Sequence, residues 1–127
     1  DDRIAQEFPL DPTLDRACQK NVLTTMFLDT LLQSEHVQPE ERQLATAAVA
    51  GLRRARTAGD WEQAAGLQNG VVLIYGAITT RIAVEEDLTA DYDDLYDVAR
   101  AVFKRYMEQQ IRAELAKQNM QTRCAAS

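Results

Sequence analysis

The chain has 127 residues, 46% of them apolar and 27% charged, which excludes a wholly disordered segment, a collagen-like repeat and a cysteine-rich knot and leaves one globular domain. Fourteen Lys and Arg stand against twenty Asp and Glu, a net charge of −6 that opposes both general nucleic-acid binding and docking on anionic lipid. The longest uninterrupted apolar run, residues 70–78, falls well short of the roughly 20 residues a bilayer requires, so no membrane span is expected.

Residues 1–10 lack helical periodicity and contain Pro9, so they read as an extended arm, with Phe8 and Leu10 the side chains able to pack on the body. Asp11-Pro12 has the chemistry of a helix start, a capping carboxylate followed by a proline that suits the first turn. Leu14, Cys18, Val22, Met26, Leu28, Leu31 and Leu32 then recur at spacings that put them on one broad face, giving a first helix over 11–35. Pro39-Glu40-Glu41 opens a second helix over 39–58, with acidic residues where the helix dipole favours them. Its expected buried stripe is Leu44, Ala45, Ala48, Val49, Leu52 and Ala55. Arg53, Arg54 and Arg56 occupy the last turn, and Gly59 ends it.

Asp60 caps a third helix over 60–84. Its centre, Val71 to Tyr75, is apolar on all sides and would also suit a buried strand, but flanks free of turn residues favour helix. Gly66, Gly70 and Gly76 each cost about 1 kcal/mol relative to Ala in a helix interior. A packing reason is therefore expected: Gly66 and Gly70, four apart on one face, would admit a neighbouring backbone, and a break near Gly70 is the alternative. A fourth helix over 89–118 begins at Thr89 or Asp91 and carries Tyr92, Leu95, Tyr96, Ala99, Val102, Phe103, Tyr106, Ile111 and Leu115. The tail, 119–127, reads as frayed except where Cys124 ties it down. Four helices with short links give an all-α antiparallel up-down-up-down four-helix bundle with an irregular N-terminal arm.

Cys18 and Cys124 match neither a zinc motif nor CxxC. The bundle would bring the start of helix one and the end of helix four to the same end, which predicts a disulfide. Closing a loop of about 100 residues is worth about 4–5 kcal/mol in the chain-entropy account. A bridge implies an oxidising compartment, periplasmic or secreted; two unrelated thiols in the cytoplasm is the competing reading. No charged-then-apolar leader opens the chain, so no signal peptide is expected within it.

Catalytic constellations are scarce. His36 is the one histidine and reads as a solvated linker residue. No Ser-His-Asp triad, multi-histidine metal site, GxxxxGK[ST] loop, GxGxxG loop or GxSxG elbow occurs. The expectation is a chain that is not an enzyme and holds no metal and no cofactor.

The strongest polar feature is acidic. Glu85, Glu86, Asp87, Asp91, Asp93, Asp94 and Asp97 crowd one stretch, after which Arg100, Lys104, Arg105, Arg112, Lys117 and Arg123 reverse the sign. A solvated helix matched to its own dipole accounts for this pattern. The sharper reading adds Tyr92 and Tyr96 to make an acidic and aromatic docking surface for a protein with a basic face. An EF-hand is excluded by the missing glycine and by Val98 at the twelfth position. The functional expectation is a non-catalytic exported interaction module: an adaptor, inhibitor or immunity-type protein. In size and class alone the chain is similar to small helical periplasmic proteins with one disulfide, secretion pilotins and immunity proteins among them. The alternative is a carrier of a small apolar ligand, with a pocket between helices three and four near Gly70 and Tyr75. A homodimer through the small-residue faces of helix two or three would have Ala48, Gly66 and Gly70 at closest approach.

Overall fold

A computed structural model describes residues 8–88 and 94–125. The fold is all-α: among the described residues six helices run in the order α1 (Arg16–Leu31), α2 (Pro39–Thr57), α3 (Trp61–Glu85), α4 (Leu95–Tyr106), α5 (Glu108–Lys117) and α6 (Met120–Arg123). Among the described residues the one extended pairing is the isolated antiparallel bridge between Leu14 and Ala125.

The first helix starts later than the sequence suggests. Asp15, not Asp11, is the cap, and its carboxylate accepts the Cys18 N–H at 2.8 Å. Asp11-Pro12 instead forms a separate turn. The Asp11 carboxylate accepts the Thr13 N–H and hydroxyl, at 2.8 and 2.6 Å, and these bonds hold its carboxyl below the usual carboxylate range. A short polar side chain that bonds two residues onward serves a turn as well as a helix cap, and here the turn wins. α1 also ends at Leu31 rather than at residue 35, because the Gln33 and Ser34 N–H groups fold back onto the Thr30 and Leu31 carbonyls.

α2 follows its expected span to within a residue. Glu41 accepts the Gln38 backbone N–H at 2.9 Å, a cap that reaches back over the first turn. Ala45, Val49, Leu52 and Ala55 are buried, whereas Leu44, placed in the buried stripe by periodicity, is 60% exposed.

α3 is the central helix and packs against α1, α2 and α4. It runs unbroken through Gly70. Gly59 at φ +75° makes the turn before it, where a side chain would be strained. The expected close approach at Gly66 and Gly70 is not made within the chain: a Cβ built at Gly66, Gly70 or Gly76 meets nothing within 4 Å. Among the described residues α3 is also the one helix long and apolar enough to cross a membrane, by length and composition only. The count of uninterrupted apolar residues passes over it because threonine, asparagine and Arg81 interrupt the run.

The fourth expected helix is two helices. Residues 89–93, where its start was placed, lie outside the described residues. α4 is capped by Asp94, which accepts the Asp97 N–H at 3.0 Å, and ends at Met107 with φ −130°. α5 starts directly after this break. α4 packs on α3, whereas α5 packs on α1. Glu108 spans the break by pairing with Lys104 and with Arg112. The tail is not frayed as far as Ala125, since α6 carries Cys124 back to α1.

The core holds a ring cluster. Phe8 meets Phe27 and Phe103 edge-on at 5.3 and 5.6 Å, and Phe27 meets Tyr75 at 5.8 Å. Such edge contacts add about 0.5–1.5 kcal/mol to the area each ring buries. Phe8 thus anchors the start of the described chain, as the arm reading expected.

Candidate functional site

Three places in the molecule gather chemistry: the α3–α4 connection, the clamp beneath it, and the bridged end. The sequence singled out the first and third.

Of the nine residues expected to form the acidic and aromatic surface, Asp91, Tyr92 and Asp93 lie outside the described residues. The other six do not act as one free patch. Glu85 pairs with Arg81 at 2.8 Å, one helical turn back. Glu86 approaches His36 Nδ1 at 3.2 Å. Asp94 caps α4, and Asp97 sits in its first turn, where the helix dipole stabilises a negative charge. Asp87 is exposed in a left-handed turn at φ 56°. Tyr96 is half-buried. Glu85 and Glu86 keep much of their surface open to solvent despite their partners. Several carboxylates therefore serve the chain's own helices while still giving this corner its negative field.

Under that corner lies a clamp that the sequence reading did not single out. Arg81 donates from Nε and Nη2 to the two Glu41 oxygens, each at 2.6 Å, and from Nη2 to the His36 carbonyl at 2.7 Å. One guanidinium thereby fastens α3 to the start of α2 and to the loop before it. Both side chains are largely covered, at 22% and 20% exposure. A two-pronged pair of this kind is the geometry in which arginine and carboxylate bind best. Arg81 holds the Glu41 carboxyl below the usual carboxylate range, and Glu41 in turn raises Arg81. The signal was present in the sequence: Arg81 is the one cation of α3 in an otherwise uncharged stretch. His36 is no free linker residue, since its ring also lies 4.9 Å from that of Tyr106.

At the bridged end Cys18 and Cys124 stand at disulfide distance, their Cα atoms 5.5 Å apart across 106 residues of sequence. The Asp15 N–H donates to the Cys124 carbonyl at 2.8 Å, so backbone and sulfur close the same seam. Beside it opens a groove of about 390 Å³ lined by Phe8, Leu10, Leu14, Leu23, Leu115 and Met120 among others. A ligand pocket was expected near Gly70 and Tyr75. The Tyr75 hydroxyl lies 3.9 Å from Met107 Sδ, and burial pushes its pKa up.

Among the described residues no three His, Cys, Asp or Glu side chains come together as metal ligands. No protein-family model matches the chain, and neither a curated protein nor a solved structure matches it.

Proposed function

We propose that the chain is a non-catalytic exported interaction module, of the adaptor, inhibitor or immunity type, that binds a protein with a basic face through the acidic α3–α4 connection. The observation that carries this reading is the exposure left at Glu85, Glu86 and Asp87 once Arg81 and His36 have been matched. Clustered, solvent-facing carboxylates raise the rate at which a basic partner arrives. The bridge between Cys18 and Cys124 supports export to an oxidising compartment, periplasmic or extracellular. It also supports the finer architecture, an antiparallel bundle whose first and last helices meet at one end.

The test is the association rate of the partner cross-linked to the chain in its native cells. Asp91→Lys with Asp93→Lys leaves the Asp94 cap in place. At low salt it is expected to slow association about tenfold, an effect that shrinks as salt screens the field. An unchanged rate at every ionic strength would sink the acidic surface. A second reading, the carrier of a small apolar ligand, is favoured by the groove at the bridged end, whose volume lies within the range of ligand sites. A ligand adduct in the native mass spectrum of gently purified protein would distinguish it.

A further inference from the structure

The bridged end brings together cations from two distant parts of the sequence. Asn21 of α1 donates to Gln68 of α3 at 3.1 Å, and Gly51 of α2 faces Leu67, so residues 21 and 51 stand at one level of α3. Phe27 and Tyr75 meet further along α1 and α3, so those helices run in one direction, whereas the Glu41–Arg81 pair shows that α2 runs against them. From the shared level α1 therefore leads back to Cys18 as α2 leads on to Arg56, each within about two turns. Cys18 is bridged to Cys124, and its Sγ lies 3.4 Å from the Arg123 carbonyl. Arg56 and Arg123 are thus delivered to one corner.

At that corner the charges are matched on one side alone. Arg53, one turn before Arg56, is paired with Asp29. Arg123 donates to the neutral Gln118 carboxamide. Arg56 is half-buried; its Nη1 is closed off from solvent and, among the described residues, meets no acceptor. The carboxylates of this end, Asp15 and Asp60, are the caps of α1 and α3. Burial, then the charge of Arg123, then that of Arg53 hold the Arg56 guanidinium below the usual arginine range. A buried N–H without a partner and two like charges side by side both oppose folding. The bridge keeps Arg123 in place against that repulsion, and an anion seated between the two guanidinium groups would relieve both terms.

The chemistry of the pair selects the anion. A guanidinium presents a planar fork of N–H donors that matches one edge of an oxyanion. A carboxylate offers one such edge in its plane, whereas a tetrahedral oxyanion offers edges to forks that arrive from two directions. A dianion also matches two positive charges. We propose that Arg56 and Arg123 form a binding site for a tetrahedral oxyanion of the phosphate class at the bridged end of the molecule. Free phosphate and the terminal phosphate of a monoester share this chemistry. The site lies toward the opposite end of α3 from the acidic connection, and the inference stands whether or not that connection binds a partner. Two forks of charge-assisted hydrogen bonds near the surface support a dissociation constant of about 1 mM.

Titration of the oxidised chain with inorganic phosphate at constant ionic strength, followed through the arginine side-chain N–H resonances, tests this. The Arg56 and Arg123 signals should shift together and saturate with a midpoint of about 1 mM. Arg123→Gln, at an exposed position, leaves the fold intact and should weaken binding about tenfold. Arg56→Gln should do the same, and Arg123→Lys, which keeps the charge and loses the fork, should fall between. In phosphate-free buffer Arg123→Gln should melt no lower than the parent, because it removes a repulsion, whereas a purely structural role for Arg123 would lower its melting temperature. Added phosphate should raise the melting temperature of the parent more than that of Arg123→Gln. Glycerol 3-phosphate bound more tightly than inorganic phosphate identifies a monoester as the ligand, and the reverse order identifies free phosphate. Shifts that stay linear in phosphate or spread evenly over all the arginines overturn the site, as does an Arg123→Gln variant that binds like the parent. Acetate bound as tightly as phosphate overturns the tetrahedral class.

Discussion

The two ends of α1 are held by different chemistry. At its start, the disulfide and the Asp15–Cys124 hydrogen bond join segments more than a hundred residues apart in sequence. Past its end, one guanidinium collects the loop carbonyl of His36 and the carboxylates of Glu41 and Glu85. The covalent seam acts mainly by constraining the unfolded chain and is indifferent to pH over the range in which carboxylates titrate. The ionic clamp acts in the folded state and depends on Glu41 being charged. A molecule built this way should fail differently at its two ends when oxidant or acid is withdrawn or supplied.

Removing the seam should have the largest effect. Cys18→Ser with Cys124→Ser is expected to lower unfolding free energy by about 2–5 kcal/mol, read as a lower denaturant midpoint. Parent protein in reductant should match the variant; equal midpoints for oxidised and reduced protein would remove the seam from the account. Glu41→Gln comes next. It leaves Arg81 largely covered with half its partnership, and a cost of about 1–3 kcal/mol at neutral pH is expected. The folded Glu41 carboxyl titrates below its usual value of 4.5. Its contribution is therefore complete above that value and is lost as pH falls through the folded pKa. The gap in melting temperature between parent and Glu41→Gln should close in acid, whereas the gap between oxidised and reduced protein should not. A Glu41→Gln gap that persists to pH values well below the carboxylate range would break the contrast. The smallest effect belongs to Asp15→Ala, which removes the cap of α1 beside the seam. It should cost about 1 kcal/mol and leave the bridge intact, as intact mass after alkylation would show.

Much of this was legible in the residues. Ala45, Val49, Leu52 and Ala55 announce α2 by spacing, and Asp60 and Gly59 mark the turn into α3, because caps and periodicity are local properties. The two cysteines advertised the seam once the helices had been counted. The acidic stretch was legible as charge but not as a site. Whether Glu85 and Glu86 are free depends on Arg81 and His36, which reach them through the fold. Leu44 shows the limit of periodicity, which assigned it to the interior although it is exposed.

What the sequence determined by itself is the helical class, the spans of α2 and α3, the cap at Asp60, the start of α2 at Pro39, and the expectation that Cys18 pairs with Cys124. These follow from backbone propensity, from side-chain spacing and from there being one other cysteine to pair with. Tertiary structure decided the rest. The helix predicted over 89–118 breaks at Met107, with no glycine or proline to announce it, because α4 packs on α3 and α5 on α1. Arg81 became a clamp because α2 and the loop before it brought Glu41 and His36 within reach. The glycines of α3 keep open space over their Cβ positions, while Val71, Ile78 and Ile82 of the same helix fill the interior. A period of 3.6 residues says which side chains share a face, and only the packed neighbours say which face is covered.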